Sequence, residues 1–237
     1  MTRPAEDLAS STAPGPVLAL FDLDHTLIPF DSGMAWTRFL IGRGLLPAEA
    51  EMRYLGFASQ YVAGTLDIHE MHASNLAPLV RHPLSELRRW QGAFEVEMAG
   101  RIPQAMRALV RSHVAAGHHC AIVTATTRLI AEPLARLFGV RHLLCTEAGQ
   151  RTDEAGVDWI APDIVGRPCF REHKIEHVER WLAVIGAPPL AEAGHSVFYS
   201  DSASDLPLLE AVREPVAVRP DPRLREIALA RGWRVMD

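Results

Sequence analysis

Two kinds of apolar pattern succeed one another along the chain. Five consecutive apolar residues, Val17-Leu-Ala-Leu-Phe21, have the length and composition of a strand buried on both faces. Residues 31–101 have almost no strand character and divide into helical pieces at punctuation marks. Ser32 can cap a first helix that runs to Gly42-Arg43-Gly44. Pro47 suits the first turn of a second, which carries Met52, Leu55, Ala58 and Val62 on one face before Gly64. Asp67 can cap a third that reaches 78–82, and Pro83 and Ser85 can start a fourth with Leu84, Leu87, Trp90 and Phe94 in one stripe. From Ile102 strands and helices alternate. An amphipathic helix over 103–116 stops at Gly117, a strand covers 120–125, a helix over 129–138 closes at Gly139, and a short strand covers 142–145. A glycine-punctuated hairpin or loop occupies 146–168. A helix over 172–185, a strand over 196–200, a short helix through Val212 and a strand over 215–218 follow, and Asp221-Pro222 opens a final helix.

This order predicts an α/β fold, a doubly wound and mostly parallel sheet with right-handed crossovers. The expected organisation is a loose leader over 1–16, a Rossmann-like core over 17–30 and 102–237, and an all-helical cap over 31–101 inserted after the first strand.

Composition narrows the function. At 237 residues, 48% hydrophobic and 22% charged, the chain is ordinary for a globular protein. Its 24 basic against 29 acidic residues, net charge -5, argue against a nucleic-acid surface, which would show a basic stripe. No apolar run is long enough to span a bilayer, and the first sixteen residues lack the apolar core of a signal peptide, so no membrane partner is expected. Cys120, Cys145 and Cys169 are odd in number and widely spaced, which fits a reducing cytoplasm rather than a disulfide framework.

The chemistry gathers at strand ends. The first strand stops in Asp22 and Asp24, and acid at the carboxyl end of a buried strand is costly unless the charges have a partner. Ligands of open α/β sheets bind at that edge; a solvated acidic turn is the plainer alternative. Thr124 ends the second strand, Lys174 lies in the first turn of a helix, and Asp201 ends a further strand with Asp205 four residues on. Three carboxylates on one edge repel one another unless a cation sits among them, and Mg²⁺ takes such oxygen ligands while keeping waters and a substrate phosphate. The Thr124 hydroxyl, the Lys174 ammonium and helix N-termini can then hold phosphate oxygens. The set suits phosphoryl transfer.

Phe-Asp-Leu-Asp-His-Thr-Leu at 21–27 resembles the opening motif of the haloacid dehalogenase superfamily. Ile-Val-Thr-Ala-Thr at 122–126 resembles its second motif, Lys174 its third, and Tyr-Ser-Asp-Ser-Ala-Ser-Asp at 199–205 its fourth, in order along 17–233. In the fourth motif Ser200, Ser202 and Ser204 stand where the family more often has Gly, Gly and Asn. The helical insertion resembles the phosphoserine-phosphatase-like branch. The resemblance implies that Asp22 is the nucleophile forming an aspartyl-phosphate, and that Asp24 is the acid and then the base. It also implies that Mg²⁺ is held by the Asp22 side chain, the Asp24 backbone carbonyl and Asp201, while Asp205 orients metal waters or Lys174. Thr124 and Lys174 would hold the transferring oxygens, and Thr26 would support the loop. The expected partner is a small-molecule phosphate ester.

Asp31 matches the position where phosphoserine phosphatases hold the substrate amine with a Glu, which suggests an amine-bearing ester such as phosphoserine or histidinol phosphate. It could equally be a helix N-terminal acid beside Ser32. A carboxylate-bearing substrate would also need a cap cation, with Arg53 the candidate and Arg43, Arg81 and Arg88 its rivals. A phosphotransferase of the same fold, a phospho-receiver module and a silent phosphoester-binding module are the competing readings; the Asp-x-Asp-x-Thr motif and the long insertion disfavour the receiver. His69 with His72, and His118-His119, are expected on solvated or packed faces rather than on zinc. Cys120 and Cys145 read as small core residues, Trp36 and Trp90 as cap core or substrate entrance, and Asp153 and Glu154 as the polar part of a hairpin turn.

Overall fold

A computed structural model describes residues 17–237; the expected leader over 1–16 lies outside the described residues. Strand β1 (Val17–Phe21) is central in a seven-stranded sheet of order β4-β3-β2-β1-β5-β6-β7. It is flanked in parallel by β2 (His119–Thr127) and β5 (His195–Ser200), beyond which lie β3 (His142–Thr152), β6 (Glu214–Val218) and β7 (Arg234–Met236), also parallel. Among the described residues only β4 (Asp158–Val165) runs antiparallel, as the return arm of a hairpin with β3. The chain leaves β1 toward β2 on one side and later crosses to β5 on the other, so β1 is the switch point of the sheet and a natural ligand crevice.

The alternation of β1 explains the two faces. Leu18 and Leu20 pack with Val178, Trp181 and Leu182 of α7 (His173–Val184), Leu208 and Leu209 of α8 (Leu206–Ala211) and Leu224 of α9 (Pro222–Ala230). Ala19 and Phe21 face α5 (Gln104–Ala115) and α6 (Arg128–Phe138). Four helices fill the interval between β1 and α5: α1 (Ser32–Gly42), α2 (Glu49–Ala63), α3 (Ile68–Leu76) and α4 (Leu84–Met98). Trp36, Phe39, Leu76, Leu84, Leu87 and Phe94 continue the apolar cluster of the Phe21 face, so α1, α3 and α4 are packed onto the sheet.

The structure departs from the periodicity in three places. The apolar face of α2 is left largely uncovered: Met52 is 70% and Val62 87% exposed, and only Ala50 and Tyr54 of its fifteen residues are buried. Strand β3 extends well past Cys145 because the hairpin continues it. Strand β7, a three-residue edge too short to give a pattern, has no counterpart among the predicted elements. No helix among the described residues is long and apolar enough to cross a membrane. The three cysteines are free and buried.

Candidate active site

The carboxyl ends of β1, β2 and β5 open into a cavity of about 1000 Å³, whose lining includes Asp22, Asp24, Asp31, Thr124, Lys174, Asp201 and Asp205. Immediately after β1 the backbone folds into a tight turn in which Ile28 N–H donates to Leu23 O at 3.1 Å and His25 takes a left-handed φ of 56°. A non-glycine residue there stores strain, which surrounding contacts must hold. Arg219 supplies them, donating to His25 O at 2.9 Å and Thr26 O at 2.7 Å. Thr26 lies inside the turn, donating from Oγ1 to Asp201 Oδ1 (3.0 Å) and accepting from Asp201 N–H (2.9 Å). It thus supports the Asp201 loop.

Lys174 is the electrostatic centre. Its Nζ donates to Asp22 Oδ1 at 2.8 Å and to Asp205 Oδ2 at 2.7 Å, and all three side chains are buried. Burial pulls the Lys174 pKa down, but Asp205 and Asp22 outweigh it and the net shift is upward, so the side chain stays an ammonium. Asp205 is further fixed by Ser200 Oγ, which donates to the same Oδ2 at 2.7 Å, while its Oδ1 is buried without a partner among the described residues. Asp22 is pushed up to about 6, first by burial, then opposed by Lys174 and reinforced by Asp205. Asp24 is pushed up to about 7 by burial and then by Asp31 and Asp22. Asp24 Oδ1 accepts from Ser32 N–H at 2.6 Å and Oδ2 from Thr126 Oγ1 at 2.8 Å, so the first turn of α1 and the end of β2 both aim it. Asp201 is pushed up to about 8 by burial and then by Asp22.

That last pair tests whether a cation fits. The one ammonium nearby is already engaged by Asp22 and Asp205, while burial and then the Asp22 charge drive the Asp201 pKa upward. Among the described residues no three His, Cys, Asp or Glu side chains converge as a ready-made cage. Two carboxylates with a backbone carbonyl and room for waters is instead a donor set of hard oxygens that suits Mg²⁺.

Toward the helices, Asp31 takes the helix N-terminal role expected of it and also lines the cavity. Its Oδ1 accepts from Met34 N–H at 2.7 Å, capping α1, and from Tyr54 Oη at 2.6 Å. Gly33 permits the second contact, because a Cβ there would meet Tyr54 Oη at 2.2 Å. Among the described residues both bonds fall on Oδ1, which leaves Oδ2 for a ligand. The expected cap cation is not at the cavity. Arg53 lies on the exposed face of α2, Arg43 pairs with Glu97, and Arg81 and Arg88 are exposed. The arginines that reach the cavity are Arg171 and Arg223, from the loop before Lys174 and the start of α9. Phe57, Tyr61, Met71 and Phe170 add an apolar, largely aromatic wall.

Sequence reasoning passed over Thr126, which sits two residues beyond Thr124 and so shares its strand face. It also passed over the second role of Asp221, which caps α9 through Leu224 N–H and holds the Asp201 loop by accepting from Ala203 N–H at 2.7 Å. His72 is buried on a packed face, one of its two expected settings, while His118 joins His113 at 2.8 Å and His113 joins Tyr199 Oη at 2.8 Å, away from the carboxylates.

Comparison with known proteins gives the family and the fold. The family model for haloacid dehalogenase-like hydrolase matches residues 19–210. A histidinol-phosphatase of Neisseria meningitidis serogroup C (strain 8013) is 39% identical over 223 residues, covering 93% of this chain and 98% of that one. A Bordetella pertussis Tohama I protein described as of unknown function superimposes with a TM-score of 0.85 at 43% identity, over 94% of this chain and 99% of that one. A substrate-bound phosphoserine phosphatase superimposes with a TM-score of 0.62 at 15% identity, over 94% and 92% of the two chains, a likeness of fold.

Proposed function

The chain belongs to the haloacid dehalogenase-like hydrolases and is a phosphoric monoester hydrolase; from that premise we propose that it is a Mg²⁺-dependent phosphatase of histidinol phosphate working through an aspartyl-phosphate on Asp22. The observation that carries the reading is the Asp22–Lys174–Asp205 chain at a strand end, beside an aromatic cavity that holds an acid at Asp31.

Asp22 is the nucleophile, with Lys174 drawing one carboxylate oxygen and leaving the other to attack phosphorus in line; the ester oxygen leaves as the new P–O bond forms. Asp24, poised near neutrality at about 7, gives its proton to the departing alcohol and then takes one from the water that cleaves the acyl phosphate. Thr124 and Lys174 bind the transferring oxygens, so catalysis is positioning plus charge neutralisation. Asp22, Asp201 and the Asp24 carbonyl would hold Mg²⁺, which supplies positive charge against the phosphate oxygens. Residues 31–101 act as the cap over this edge. The three free, buried cysteines support a reducing, cytoplasmic setting.

The substrate reading rests on the wall of the cavity and on the histidinol-phosphatase relative. Asp31 Oδ2 takes the ammonium, and the aromatic and apolar side chains of Phe57, Tyr61, Met71 and Phe170 take an imidazole ring. Phosphoserine would bring a carboxylate for Arg171 or Arg223 and no ring for this wall. Phosphate release from L-histidinol phosphate and from O-phosphoserine, with and without Mg²⁺, tests the reading. Histidinol phosphate is expected to win in kcat/KM, and Asp22→Asn to abolish turnover. Asp31→Asn is expected to cost about 10- to 100-fold in kcat/KM, as for the loss of one charged hydrogen bond. A preference for phosphoserine, or full activity in Asp22→Asn, would overturn it.

A further inference from the structure

The last turn of α2 touches both loops that carry the charged side chains. Tyr61 Oη lies 2.7 Å from Ser202 Oγ and 2.8 Å from Ser204 Oγ, and the two serine hydroxyls are 3.1 Å apart. These serines alternate with Asp201 and Asp205. Gly64, which ends α2 at a φ of 74°, accepts from Arg171 Nη2 at 3.4 Å, and the Tyr61 ring lies 6.1 Å from that of Phe170. Both residues belong to the loop that leads into Lys174. Elsewhere α2 is lightly held, with Ala50 and Tyr54 buried and Met52 and Val62 in solvent. A helix that buries so little apolar surface has low local stability, so a few polar contacts decide where it sits.

From Tyr61 the hydrogen bonds continue without a gap to the first strand. Ser202 N–H donates to Ser200 Oγ at 3.2 Å, Ser200 Oγ donates to Asp205 Oδ2 at 2.7 Å, and Lys174 joins Asp205 to Asp22. A glycine at 200 or 202 would have no hydroxyl to offer this chain. The three serines and Tyr61 therefore form one complementary set.

We propose that Tyr61 is a positioning residue whose hydroxyl, shared between Ser202 and Ser204, latches α2 over the cavity and in the same contact fixes the Asp201–Asp205 loop. Closing the helix and ordering the carboxylates are then one event, transmitted through Ser200 to the Lys174 network. Tyr61 acts through the loop: its bonds go to serine hydroxyls and not to the reacting groups. Only the kinetic half of the test rests on the phosphatase reading above.

A double-mutant cycle of Tyr61→Phe against the pair Ser202→Ala/Ser204→Ala tests it. Tyr61→Phe keeps the ring beside Phe170 and removes only the hydroxyl. Each arm is expected to lower kcat/KM for L-histidinol phosphate about five- to tenfold, the net worth of one hydrogen bond, with the loss in kcat rather than KM. The combined variant should be no slower than the serine pair. Amide hydrogen exchange in the Mg²⁺-free protein should speed up over 57–64 in Tyr61→Phe and in the serine pair alike. Ser204→Ala alone, which keeps the Ser202 turn, serves if the pair does not fold. Losses that multiply in the combined variant, or exchange over 57–64 unchanged by Tyr61→Phe, would overturn the latch. Coupled exchange in a protein that hydrolyses no phosphoester would leave the latch standing and remove the proposed function.

Discussion

The sheet edge and helix α2 face one another across the same cavity and are built on opposite principles. At the edge, Asp22, Lys174 and Asp205 are buried, mutually bonded and backed by Ser200, with Thr26 and Asp221 holding the neighbouring Asp201 loop. Across from them α2 exposes most of its apolar residues and is tied down by hydroxyls and by two guanidiniums, Arg38 on Glu51 and Arg171 on Gly64. The edge is over-determined, as a site must be when charge has to sit at fixed positions in a dry environment. The helix is under-determined, as an element must be if it is to open for a substrate and close on it. Chemistry and access are thus given to parts of different stiffness.

The contrast can be broken most violently at Lys174. Among the described residues Lys174 is the one cation shared by Asp22 and Asp205, and Lys174→Met leaves both carboxylates buried without it. Taking one partner from a buried ion pair costs about 3–5 kcal/mol. Urea unfolding of the Mg²⁺-free variant at pH 7.5 should show a loss of that size, along with loss of turnover. A stable variant would mean that the edge is softer than its burial implies.

A smaller effect is expected where the helices meet the sheet. His72 of α3 is 3% exposed, its Nε2 has no partner among the described residues, and burial, then His69, pushes its pKa from the ordinary 6.5 down to about 4. Because the folded value lies below the unfolded one, unfolding takes up a proton between those limits. Stability is therefore full above about pH 6.5 and falls as the pH drops toward 4. By pH 4.5 the loss from this group alone is about 3 kcal/mol. Denaturation of wild type and His72→Gln at pH 7 and pH 4.5 checks this, and the variant should lose less on acidification. Parallel losses in the two proteins would show that His72 does not weaken this interface in acid.

The two regions also differed in how much of them could be read from the chain. Val17–Phe21 followed by Asp22 and Asp24 is legible because a fully buried strand leaves an unbroken apolar run, and an acid at its end has few structural uses. Lys174 and Asp205 are legible because their order along the chain resembles a known set of motifs. The bonds that hold them are not: Thr26 meets Asp201 across 175 residues and Tyr61 meets Ser202 across 141, and no local pattern encodes such pairings. The exposure of α2 is illegible for a plainer reason. Met52, Leu55, Ala58 and Val62 do share a face, but periodicity says only that residues lie together, and whether that face meets protein or solvent is decided by what packs beside it. Arg171 and Arg223 were missed because they come from the core, while the search for a substrate cation was confined to the helices.

Arg53 gives the smallest and most discriminating effect. It sits on α2, the element across from the nucleophile, and by position in the chain it is the natural cap cation. In the folded protein it is exposed and absent from the cavity wall, whereas Arg171 lines the cavity and ties down Gly64. Exposed charges away from a ligand change little, within about 0.5 kcal/mol of stability. Arg53→Ala should leave kcat/KM for histidinol phosphate within about twofold of wild type, a change on that same small energy scale. Arg171→Ala should lower it by more, because it loosens the end of α2. If Arg53→Ala proved the slower of the two, the outer face of α2 would have to turn inward during turnover. The division between a rigid edge that reacts and a light helix that only closes would then fail.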